Sequence, residues 1–211
     1  KLYQSLACPY DPMGATMATY CGQNVGAMRL ERLGKGIRSC ALLGAICAVA
    51  LFGAMTLFSD QCAMLFLDPA EPELELLRSL TSQYVLISCA FFFPLALVNI
   101  LRFSIQGMGF SVFAILAGVL EMVARTAVGH FLVPLFGYTA ACFASPAAWI
   151  CADLFLIPAC VACVSRLRRD LPVIRAAAEQ ESAAEEPAVQ SREKAGVLRH
   201  ARATRHTCPK A

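Results

Sequence analysis

The chain has 211 residues, of which 58% are hydrophobic and 16% charged, with a formal net charge of +3. A soluble domain carries about 25% charged residues, and here the deficit is concentrated in long apolar blocks, so the composition excludes an ordinary water-soluble globule and points to a membrane protein. The basic residues lie against an apolar span with no aromatic platform or recognition helix beside them, so no nucleic-acid partner is expected.

In chain order, a short apolar piece around Met13 to Tyr20 reads as the end of a span cut at its amino side. Four blocks then reach the roughly 20 apolar residues that one membrane-crossing helix needs. They cover about 37–58, 84–105, 112–135 and 139–164. The expected fold is therefore an all-α membrane protein, a polytopic helix bundle of about four full spans plus the end of a fifth, over residues 1–172. Lys1 is not a start residue and no cleavable leader precedes the first block, so the chain is expected to be part of something longer. Residues 173–211 are alanine-rich and charged without a lasting apolar period, which predicts a disordered or loosely helical tail. Most of the eleven cysteines lie in the apolar blocks, where they act as small apolar residues. Cys160 and Cys163 form a CxxC that lacks a second such pair or a nearby histidine, so no metal is expected.

Orientation follows from the basic residues, which stay on the cytoplasmic side of short loops. Arg29, Arg32, Lys35 and Arg38 precede the first full span, and Arg166, Arg168, Arg169 and Arg175 follow the last. The connection 59–83 is acidic, with Asp60, Asp68, Glu71, Glu73 and Glu75 against Arg78. The next carries Arg102 at its edge, and the turn at 136–138 is uncharged. Four crossings with a cytoplasmic tail satisfy this pattern, and the basic clusters are also placed to meet anionic lipid headgroups.

Three stretches carry a family resemblance. "MATYCGQNVGAMRLERLGKGIRS" closely resembles the cytoplasmic turn of multidrug and toxic compound extrusion (MATE) transporters, through Gly22, Gln23, Asn24, Gly26 and Ala27. "LRFSIQGMGFS", with Gln106, Gly107 and Gly109, is similar to the family's second cytoplasmic turn. The stretch from Glu121 to Pro158, including Arg125, Gly137, Pro146 and Trp149, is similar to its last two helices. The resemblance implies the later part of the second of two six-helix bundles, the first being absent. It also implies an inner-membrane exporter of cationic or amphipathic compounds driven by protons or sodium ions. No nucleotide-binding loop is present, since "GKGIRS" is too short for one. This agrees with an ion gradient as the energy source and with the absence of a bound cofactor.

Ionisable residues at membrane depth are functional candidates. Glu121 and Arg125, four apart, share one helical face. They form either a coupling pair, in which protonating Glu121 frees Arg125, or a static lock between helices. Glu121 is the first residue whose loss is expected to stop transport. Asn99, five residues beyond Pro94, either lines a substrate or cation cavity or makes an interhelical hydrogen bond. Asp153 either faces the central cleft or makes a polar interhelical contact. His130 is read as interfacial, and Phe91, Phe92 and Phe93 as mainly lipid-facing. Alternatives to export are a lipid-precursor flippase, which calls for a more cationic cavity, and a truncated, non-transporting fragment. An intramembrane enzyme is disfavoured because no HExxH and no serine with a matching histidine lies at membrane depth.

Overall fold

The structure is a computed structural model and describes residues 2–64 and 74–205. Asp68, Glu71 and Glu73, on which part of the orientation rests, lie outside the described residues. The described residues form helices α1 (Leu2–Ala7), α2 (Tyr10–Gly26), α3 (Glu31–Met64), α4 (Leu74–Ala90), α5 (Phe92–Gly107) and α6 (Ser111–Ala127). A π-helical turn, Val128–Leu132, then leads into α7 (Val133–Phe136) and α8 (Tyr138–Arg205). The chain divides into two compact units, Lys1–Arg166 and Leu167–Ala211. The second is helical as far as Arg205.

Among the described residues, three segments are long and apolar enough to cross a membrane: Glu31–Phe58, Ser111–Phe136 and Tyr138–Val173. The pair α4 and α5, which meet at a 50° bend, passes the same test together, with the geometry of a broken span or a re-entrant loop. Proline explains the bend. Pro94 has no N–H to give the Ala90 carbonyl, and its ring would strike that carbonyl in a straight helix. The chain opens at Phe91, whose N–H reaches back to Ser88 at 3.1 Å, and the helix restarts with Leu95 N–H on the Phe91 carbonyl at 3.3 Å. Pro134 acts similarly. The turn before it widens so that Val133 N–H bonds the Val128 carbonyl five residues back. Gly137, at φ +59°, then ends α7 and turns the chain into α8.

Inside a bilayer the lipid is as apolar as the side chains, so helices associate through close packing and polar contacts. The tightest crossing joins α2 to α5. A Cβ on Gly107 would collide with the Ala18 carbonyl and lie 2.8 Å from Ala18 Cα. One turn further along α2, a Cβ on Gly22 would touch the Gly107 carbonyl at 3.4 Å. A buried cluster of Tyr10, Ala48, Met55, Val85, Cys89, Phe92 and Ala96 then ties α2, α3, α4 and α5 together. Phe92 departs from the lipid-facing expectation: it is fully buried against Tyr3 and Tyr10. Phe93 is exposed, and Phe91 packs edge-on against Phe143 of α8. Helix α8 also reaches α4, where Tyr138 Oη donates to the Leu80 carbonyl at 2.9 Å. It meets α6 through Phe113 and Phe155, and α1 through the stacking of Tyr3 on Trp149.

Candidate functional site

Helices α1, α2 and α5 border an open cavity of about 370 Å³ lined by Tyr3, Gln4, Ala7, Cys8, Asp11, Leu95 and Asn99. The spacing explains the lining. Tyr3 and Ala7 are four apart on α1, as are Leu95 and Asn99 on α5, so each pair shares a face. Asp11 sits in the first turn of α2, where the helix dipole favours a carboxylate. Asn99, half-buried just past the Pro94 bend, lines the same cavity as Gln4. The only charged lining side chain is a carboxylate. Gln4 and Asp11 are exposed on the cavity's rim and Tyr3 and Asn99 are half-buried, so two amides, a phenol and a carboxylate face an open, oxygen-rich cleft.

A second polar group joins α5 to α6. Glu121 accepts a hydrogen bond and ion pair from Arg102 Nη2 and lies 3.8 Å from Arg125 Nη2. Glu121 and Arg102 are 15% and 23% exposed at the side chain, against 50% for Arg125. The expected Glu121–Arg125 pair is therefore present but secondary, because the nearer and better buried cation is Arg102.

The family-motif residues build two matching helix ends. At the end of α2, Met28 N–H bonds the Val25 carbonyl at 3.0 Å and Arg29 N–H bonds the Asn24 carbonyl at 2.8 Å. At the end of α5, Gly109 N–H bonds Gln106 at 2.9 Å and Phe110 N–H bonds Ile105 at 3.1 Å. Both are Schellman caps, which return two late N–H groups to otherwise orphaned carbonyls. The left-handed residue is Gly109 in the second turn but Met28 in the first, at φ +54°. Asn24 also donates from Nδ2 to the Tyr20 carbonyl at 2.8 Å. Gln23, Gly26 and Gln106 are exposed, so these motif positions shape helix ends and make no binding pocket. Arg29, Arg32, Lys35 and Arg38 flank the first turn and are exposed. Arg166 lies over the Phe110 ring beside the second, 5.9 Å from its centroid, so the cationic residues gather at the end these turns form.

Asp153 is buried on α8 and belongs neither to the cavity lining nor to the ion-pair group. His130 is exposed in the π-helical turn against Phe131. Two residues that sequence reasoning did not place in the site are Asp11 and Arg102. Asp11 opens an apolar helix, and its acidic first-turn position was the available signal. Nothing local in the sequence links Arg102 to Glu121, nineteen residues away.

A family model described as MatE matches residues 12–130, more than half of the chain. No curated protein matches the sequence. A solved structure described as the inward-facing conformation of a multidrug resistance MATE family transporter of the MOP superfamily shares the fold, with a TM-score of 0.66 and 18% identity. The match covers 74% of this chain and 34% of that one, so the chain spans about a third of that transporter's length. By the family match over more than half its length, with a fold to agree, this multi-pass membrane chain belongs to the MATE family.

Proposed function

We propose that the chain is the later part of the second bundle of a secondary active exporter in the inner membrane. Such a protein moves cationic or amphipathic organic compounds outward in exchange for protons or sodium ions, and its tail lies in the cytoplasm. The observation that carries this reading is the cavity holding Asp11, Asn99 and Gln4 with no cation among its lining residues. Its volume is at the small end of ligand pockets. An acidic residue that shares an open cleft with two amides in a bundle of membrane helices is a candidate for the transport path. The carboxylate of Asp11 would neutralise a monovalent ion or an organic cation, and the amide oxygens of Asn99 and Gln4 would replace part of its hydration shell. The Tyr3 ring offers a face suited to an organic cation.

The same lining argues against a flippase for lipid-linked precursors, whose anionic headgroup would meet the Asp11 carboxylate. Arg102 and Arg125, the cations nearest in kind, are engaged with Glu121. Glu121 serves in this reading as a positioning residue that holds α5, and so Asn99, against α6.

The test is export of a fluorescent monocationic dye from cells expressing the full-length protein. Asp11→Asn and Asn99→Ala should each cut export at least tenfold at unchanged membrane abundance. Full export from both variants would remove the cavity from the mechanism.

A further inference from the structure

Asp153 is the sole charged residue between Tyr138 and Ser165, in the segment of α8 apolar enough to cross a membrane. The residue is 7% exposed, and its Oδ1 is buried with no hydrogen-bond partner. Trp149, Ala152, Leu156 and Cys160, which share its side of the helix, are all buried. The carboxyl group is thus enclosed by this chain's own helices and does not face lipid.

The charged groups on the surrounding helices are committed or distant. Arg102 of α5 and Arg125 of α6 hold Glu121, and Asp11 of α2 lines the cavity. Helix α3 has no charged residue between Arg38 and Asp60. The charges of α4, Glu75 and Arg78, lie before Leu80 and Gln83, which meet the opening residues of α8 some four turns from Asp153. The titratable group of α1 beside this face is Tyr3, stacked on Trp149 one turn away. Among the described residues Asp153 therefore has no counter-ion. An isolated carboxylate in such surroundings neutralises itself by holding a proton.

We propose that Asp153 is a protonation site of the transport cycle, separate from the Asp11–Asn99 cavity. It carries its proton while α8 is packed as here. It releases the proton to water, leaving a carboxylate, when repacking of α8 hydrates it. The proposal rests on the transporter reading for its role in the cycle, but the protonated state itself does not.

The experiment uses the full-length protein in lipid nanodiscs and proteoliposomes. Infrared difference spectra between neutral and alkaline pH should show a protonated-carboxyl C=O stretch that is missing from Asp153→Asn. A hydrophobic carbodiimide should label Asp153, as located by mass spectrometry. Asp153→Asn copies the protonated form, so it should fold and melt with the wild type, yet lose at least tenfold of dye movement driven by an imposed pH gradient. Gradient-free dye counterflow should be retained.

A carboxylate band at neutral pH, no carbodiimide adduct, or failure of the asparagine variant to fold would each overturn the protonation site, whatever the wild type transports. Unchanged gradient-driven movement in the asparagine variant would overturn its role in the cycle. A wild type that moves no dye would sink the transporter reading and that role together, and would leave the band as it stands.

Discussion

Replacing Glu121 by glutamine separates the two arginines that its carboxylate joins. In the wild type the Glu121 side chain is 15% exposed and that of Arg102 is 23% exposed. The Arg102 Nε is already buried without a partner. Breaking a buried pair by removing one member costs 3–5 kcal/mol, mostly from the stranded charge. With about a fifth of the pair still reached by solvent, about 3 kcal/mol is expected for Glu121→Gln. Arg125 sits 3.8 Å from the same carboxylate and is half exposed, so Arg125→Gln should cost about 0.5 kcal/mol, as surface pairs do. The assay is reversible unfolding of the purified full-length protein in mixed micelles, with Arg102→Leu, Glu121→Leu and the double variant completing a cycle. The double variant should recover much of the loss, because no charge is left stranded. Equal destabilisation by Glu121→Gln and Arg125→Gln would refute the reasoning, for it would make the i,i+4 neighbour the principal partner after all.

The remaining expectations concern the backbone. Met28 holds a left-handed conformation that costs a side-chain-bearing residue about 1 kcal/mol, so Met28→Gly should raise stability by about that amount in the same unfolding assay. Gly107→Val should lower stability by about 2 kcal/mol, within the range for overpacking, because its side chain would meet the Ala18 backbone; a neutral result would show that the two helices separate easily. Pro94→Ala should let α4 run into α5, and spin labels on either side of Phe91 should then report a longer distance than across the present 50° bend.

Hydropathy made the spans legible because length and oiliness alone decide whether a helix suits a bilayer. The same property could not say which side of a span faces lipid. Phe91, Phe92 and Phe93 are chemically identical, yet one is buried among Tyr3 and Tyr10, one packs on α8, and one is exposed. The kink followed from Pro94, whereas the widened turn before Pro134 was hidden in an unbroken apolar run. At the site, the i,i+4 rule found Glu121 with Arg125 but had no access to Arg102, since the α5–α6 turn that folds the two together acts across nineteen residues. Asn99 stood out in the sequence as a polar residue in an apolar helix. Its companions Gln4 and Asp11 needed the packing of α1 and α2 against α5, which only the fold supplies.

Where two backbones touch with no side chain between them, there is no soft layer to shear. The contact of Gly107 with Ala18 makes the turn-bearing halves of α2 and α5 behave as one stiff plate, capped at the same end by two similar turns. Asp11 of α2 and Asn99 of α5, which line the cavity, stand about two turns from that contact on the side away from the turns, so a swing that changes the cavity needs a joint beyond the plate. The joint available for such a swing is the opened backbone at Phe91.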